Sequence, residues 1–146
     1  MSAQVTDNGS GQTLRLRLHA TPTSLAIVRD GLRNWLQDLS LHPAEIFDVV
    51  LACSESLTLV IEDAPRKVAL IVEVVATIRG NDLSVTTRDY GLWHESHADD
   101  QEEPLSLSLM RALMDSVELE RHPDGQSIRL EHRLRGLVRD RRAQLL

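Results

Sequence analysis

Two β-branched runs meeting across a short turn limit the folds open to this chain more than any other feature. Val68 to Ile78 is dense in valine and isoleucine, Gly80-Asn81-Asp82 supplies turn chemistry, and Leu83 to Asp89 returns with Leu83 and Val85 alternating against Ser84 and Thr86. Branched side chains favour the pleated backbone, and a turn this short joins antiparallel strands rather than crossing over a sheet. The pattern recurs near the end of the chain, where Val117 to Arg121 and Ser127 to Arg133 flank Pro123-Asp124-Gly125. Consecutive hairpins leave no room for βαβ units, which excludes a parallel, doubly wound sheet.

The remaining elements follow from periodicity. Leu14, Leu16 and Leu18 alternate with Arg15, Arg17 and His19, the signature of a strand with one buried face. Thr21-Pro22-Thr23-Ser24 offers helix-start chemistry, and Leu25, Val28, Leu32, Leu36 and Leu39 follow at helical spacing to an end near Ser40. Pro43 opens a second helix with an apolar stripe of Ile46, Val49, Val50, Cys53, Leu57, Val60, Ile61 and Ala64, closed by Pro65. Its other face carries Asp48, Glu55 and Glu62. After an acidic stretch from His94 to Glu103, Pro104 leads into a third helix through Leu105, Leu109, Ala112 and Leu113. The expected architecture is α+β, a two-layer sandwich of one mixed or antiparallel sheet with helices on one face, in the order β-α-α-β-β-α-β-β.

At 146 residues and 42% hydrophobic content the chain forms one domain with a core of its own. The expected division is a disordered lead over residues 1–12, a domain over 13–135 and a basic tail over 136–146, where Arg139, Arg141 and Arg142 cluster. A formal net charge of -6 argues against nucleic acid as the partner, because phosphate backbones are held by clustered Lys and Arg. Proteins or small ligands are the expected partners. The single cysteine, Cys53, cannot form an internal disulfide and falls on an apolar helix face, which suggests a buried thiol in a reducing cytoplasm. No apolar run approaches the ~18 residues of a membrane span, and no signal-like segment opens the chain.

The chemistry-bearing motif is Asp89-Tyr90-Gly91, where a strand runs into an Asp-x-Gly turn. A carboxylate there can accept from an exocyclic amine, and Gly91 lets the backbone approach a ligand where a Cβ would collide. Trp93 stands where a second small residue would continue the pattern, with an indole large enough to fill the volume of an adenine. His94-x-x-His97 with Asp99 and Asp100 is read as a solvated acidic loop rather than a metal site.

With Ser54-Glu55-Ser56, Asp89-Tyr90-Gly91 and Leu107-Ser108-Leu109-Met110-Arg111-Ala112-Leu113-Met114-Asp115-Ser116-Val117 in view, the chain resembles the small anti-sigma factors of the switch-protein serine kinase type. These belong to the histidine-kinase-like GHKL ATPase superfamily, and the resemblance runs from about Leu14 to Leu134. It implies that Glu55 occupies the place of the general base toward a serine hydroxyl or water. It also implies an asparagine, one helical turn later, that helps to hold Mg²⁺; Leu59 stands there and offers no oxygen to a hard cation. A glycine-rich segment before the third helix would cradle phosphates with its N–H groups. Pro104, Leu105 and Ser106 occupy that place, behind Asp99, Asp100, Glu102 and Glu103, whose charge opposes a triphosphate. The expectation is therefore a regulator that binds a sigma factor or a STAS-type anti-anti-sigma partner, with a degenerate nucleotide site that keeps only Asp89 and Gly91 at its adenine end and needs no cofactor. The alternative is a working ATP- and Mg²⁺-dependent serine/threonine kinase that uses Glu55. The resemblance further implies a homodimer.

Overall fold

The computed structural model describes residues 2–7, 11–62, 71–90 and 104–135. The chain order is β1 (Ser2–Asp7), β2 (Gln12–His19), α1 (Pro22–Asp38), α2 (Pro43–Glu62), β3 (Ile71–Arg79), β4 (Asp82–Tyr90), α3 (Leu105–Leu113), β5 (Ser116–His122) and β6 (Gly125–Arg133). All strands join one six-stranded sheet in the order β1-β2-β3-β4-β6-β5. Every pairing is antiparallel, which settles the mixed-or-antiparallel alternative.

One expectation is corrected at the N-terminus. Residues 2–7, read as disordered, form the edge strand β1, paired with β2 so that Val5 lies opposite Leu14, and the order becomes β-β-α-α-β-β-α-β-β. β1 is exposed along its whole length, so it buries no face and writes no period-two pattern into the sequence. Its support is the backbone ladder of β2, which needs no particular side chains. At Gly11 a Cβ would stand 2.3 Å from the Ile78 carbonyl oxygen, so only glycine lets the chain enter β2 so close to β3.

The helix starts follow local chemistry. Ser24 Oγ accepts from the Thr21 N–H at 2.8 Å and donates to the His19 carbonyl, tying the first turn of α1 to the end of β2, while Pro22 takes an early position where its missing N–H costs nothing. α1 stops at Asp38, and Ser40 turns the chain with φ 60°. Gly31, on the sheet side of α1, would carry a Cβ 3.2 Å from Leu16 Cδ1, so its lack of a side chain brings α1 close to β2.

The core lies between the helices and one face of the sheet. Leu14, Leu16 and Leu18 of β2, Val72, Val74 and Ala76 of β3, Leu83 and Val85 of β4, and Ile128 and Leu130 of β6 meet Leu32, Leu36, Val49, Leu57, Val60 and Met110 from the helices. At about 25 cal/mol per Å² of apolar surface this burial is the main favourable term in folding. The opposite face of the sheet is polar and charged, and Arg15 of β2 meets Glu73 of β3 there at 3.1 Å. Tyr90 carries the guanidinium carbons of Arg17 and Arg88 over its ring at 5.5 and 4.9 Å.

Candidate functional site

α2 crosses the inner face of the sheet and buries polar groups along its length. Toward its C-terminal end Ser56, fully buried, donates to the Cys53 carbonyl at 2.7 Å and lies 2.9 Å from the Thr87 hydroxyl on β4. Thr87 faces the helices because it follows Leu83 and Val85 at a spacing of two. Cys53 sits beside both hydroxyls, and burial pushes its thiol up to about 12, a rise that hydrogen bonds with Thr87 and Ser56 partly offset. A thiol held neutral in this way is a packing group, as expected from the sequence, and not a nucleophile.

Two residues further along the same face of β4 comes Asp89, 6% exposed. Its Oδ1 accepts from the Gln126 N–H on β6 at 3.2 Å. Gly125, at the start of β6, is pressed against it: a Cβ there would meet the Asp89 carbonyl oxygen at 2.2 Å and Oδ1 at 2.5 Å, and the residue holds φ 143°. Arg88, on the opposite face, reaches both oxygens of Asp124 at 3.3 and 3.2 Å and pins the same turn from the other side. The Pro123-Asp124-Gly125 turn therefore packs directly against Asp89. In sequence it carries only a turn signal, because a glycine after Pro-Asp is fully accounted for by turn geometry.

The other expected site residues divide. Leu59 is 5% exposed and packs in the core, so the helix face at this position is apolar and closed. Glu55 is half-buried on α2 and makes no hydrogen bond or ion pair among the described residues. Pro104 precedes α3 with φ -57° and ψ 143°, and its carbonyl accepts from the Leu107 N–H at 3.0 Å. Leu105 is 84% exposed, because α3 buries Leu107 and Met110 and turns its first residue outward. Ser106 is half-buried in the same turn. Gly91, Trp93, the His94 to Glu103 stretch and the basic tail lie outside the described residues.

The opposite end of α2 holds a second polar cluster that the sequence did not flag. His132 of β6 and Glu45 of α2 are each 9% exposed, and His132 Nε2 lies 3.1 Å from Glu45 Oε1. The same oxygen accepts from the Arg135 N–H at 2.7 Å. Asp115, between α3 and β5, accepts from the Arg133 N–H at 2.6 Å and comes within 3.6 Å of His132 Nδ1. Among the described residues no group of His, Cys, Asp and Glu could hold a metal ion. No helix among them is long and apolar enough to cross a membrane.

Comparison with known proteins agrees with this arrangement. The family model described as the histidine kinase-like ATPase domain matches residues 18–132, and the chain belongs to that family. Among solved structures, the crystal structure of the RsbU and RsbW domains of Rv1364c from Mycobacterium tuberculosis is similar over 84% of this chain, at 25% sequence identity and a TM-score of 0.68. This chain spans 32% of that one. A comparison with curated proteins finds no match. The resemblance to the anti-sigma-factor type of the family, read from the sequence, is upheld by these two likenesses.

Proposed function

We propose that this chain is a regulatory protein of the anti-sigma type that acts by binding a protein partner, a sigma factor or a STAS-type anti-anti-sigma protein, and that its nucleotide site is degenerate. The observation that carries the proposal is Leu59. It stands where the resemblance implies a metal-ligating oxygen, it is 5% exposed, and an aliphatic side chain sealed in the core neither ligates Mg²⁺ nor leaves room for a hydrated ion. Two further features support it: Pro104 has no N–H to offer a phosphate, and Asp89 Oδ1 is committed to the backbone of β6. Among the described residues, Leu59 and Pro104 offer Mg-ATP neither a metal-ligating oxygen nor a backbone N–H at the places the resemblance implies. Isothermal titration with Mg-ATP, alongside titration of sigma factors and STAS-domain proteins from the same genome, tests the proposal. Partner binding without nucleotide supports it, and tight magnesium-dependent ATP binding overturns it.

One observation favours the kinase alternative. Glu55 is half-buried and has no hydrogen-bond or ion-pair partner among the described residues, and a general base requires a carboxylate near its substrate and open to a proton. Transfer of labelled phosphate to a partner serine, abolished in Glu55→Gln, would establish that activity and displace the first reading.

A homodimer in the cytoplasm completes the proposal. The open sheet face is charged and mixed in sign, with Arg15 and Arg17 exposed on β2 beside Glu73, and Glu118 and Glu120 exposed on β5 beside Arg129, so a two-fold axis can lay the β2 arginines of one copy over the β5 glutamates of the other. Sedimentation of R15E/R17E and E118R/E120R, separately and mixed, checks this: each alone weakens the dimer and the mixture restores it.

A further inference from the structure

Away from the site and the open sheet face, α1 and α2 enclose a channel of about 460 Å³ on the outer surface of the molecule. Its floor is apolar, since Leu41, Ile46 and Val50 line it and are nearly sealed from solvent. One rim carries Phe47, the single phenylalanine of the chain and 65% exposed. The other rim carries Arg29 and Arg33 of α1, both exposed. Arg33 lies 3.2 Å from the exposed Asp30 carboxylate, and Arg29 makes no ion pair among the described residues. Aromatic and arginine side chains around an apolar floor are the composition of a binding hot spot.

The two guanidinium groups are four residues apart, about 6 Å along the helix axis at ~1.5 Å per residue. That is the spacing of carboxylates one turn apart on a second helix. In a chain of net charge -6, two arginines beside an apolar floor also select strongly by charge.

We infer that this channel seats an amphipathic helix of a protein partner, its apolar stripe over Leu41, Ile46 and Val50, its acidic residues one turn apart against Arg29 and Arg33, and Phe47 closing over it. The inference rests on the partner-binding function proposed above and names the surface and chemistry it uses.

Fluorescence anisotropy of the full chain with two synthetic sixteen-residue helical peptides tests it. Both peptides carry leucines at i, i+4, i+7 and i+11, one flanked by glutamates at i,i+4 and the other by lysines. The glutamate peptide is expected to bind about tenfold more tightly than the lysine peptide, R29E/R33E to reverse that order, and Phe47→Ala to weaken binding about tenfold. Because Phe47, Arg29 and Arg33 are exposed, the variants are expected to keep the wild-type circular dichroism spectrum and melting temperature. Equal affinity for the two peptides, no binding of either, or binding that ignores both variants overturns the inference. Phe47→Ala converting a dimer to a monomer also overturns it, because the occupant is then a second copy of this chain. A sigma factor or STAS protein that binds wild type and R29E/R33E equally removes the channel but leaves the proposed function standing. Peptide binding as expected, with no such protein bound, does the reverse.

Discussion

The two ends of α2 bury polar groups against the same sheet in different ways. At the N-terminal end Glu45 collects the His132 ring and the Arg135 N–H, and Asp115 collects the Arg133 N–H, so α2, the α3–β5 junction and the end of β6 are tied together. At the C-terminal end Ser56, Thr87 and Cys53 exchange hydrogen bonds locally, and Asp89 meets β6 through the Gln126 N–H and the close approach of Gly125. The first end resembles a clamp that the fold needs. The second is a tight backbone contact that depends on a missing Cβ, since only glycine lets the start of β6 approach Asp89 so closely.

Gly125→Ala is expected to have the largest effect. The added Cβ collides with the backbone and carboxylate of Asp89 at a φ that L residues avoid, and the expected loss is about 3 kcal/mol or more in urea unfolding. A loss below ~1 kcal/mol would show that β6 simply steps back and that the contact with Asp89 is loose.

Next comes Glu45→Ala, which leaves the buried His132 ring and the Arg135 N–H without their acceptor and is expected to cost about 2–4 kcal/mol. Glu45→Gln keeps an acceptor oxygen and is expected to recover roughly half of that loss, measured the same way. If both variants unfold like wild type, the clamp is ornamental and the two ends of α2 do not differ.

Cys53 allows a test by pH. Its thiol is raised from 9.0 to about 12 in the folded protein, so the neutral form is preferred there and the unfolded chain ionises first. Stability is then unaffected by this group below pH 9 and falls as pH climbs from 9 toward 12, at up to ~1.4 kcal/mol per pH unit. Urea midpoints between pH 7 and 10.5 are expected to show the fall in wild type and a flatter line in Cys53→Ala.

The smallest effect belongs to Thr87→Val. It removes one hydroxyl at nearly constant shape while Ser56 keeps its bond to the Cys53 carbonyl, and about 1 kcal/mol is expected. A larger loss would mean that this hydroxyl cluster is itself a clamp and would erase the distinction between the two ends.

Much of the scaffold is legible in the chain. Leu14, Leu16 and Leu18, the paired hairpins and the stripes of the first two helices specify one-sided burial, and burial is periodic in sequence. β1 escaped because an exposed edge strand held by backbone hydrogen bonds leaves no side-chain period. At the site, the sequence singled out Asp89 and Leu59 but not their surroundings: Asp89 accepts from the Gln126 N–H and Leu59 is buried in the core. The outward direction of Leu105 is not written in the sequence, because the direction of a first-turn side chain depends on how the whole helix packs. Glu45 and His132 went unnoticed because they stand 87 positions apart, and no local pattern joins them.

By itself, then, the sequence determined the α+β class, the antiparallel hairpins, the buried thiol and the family, since each rests on side-chain type at short spacing. Only the tertiary structure decided that Gly125 frames Asp89, that Glu45 meets His132, and that Phe47 and two arginines border one apolar channel. Those contacts join residues from different elements, and their existence depends on how α2 lies across the sheet and against α1, which no single segment encodes.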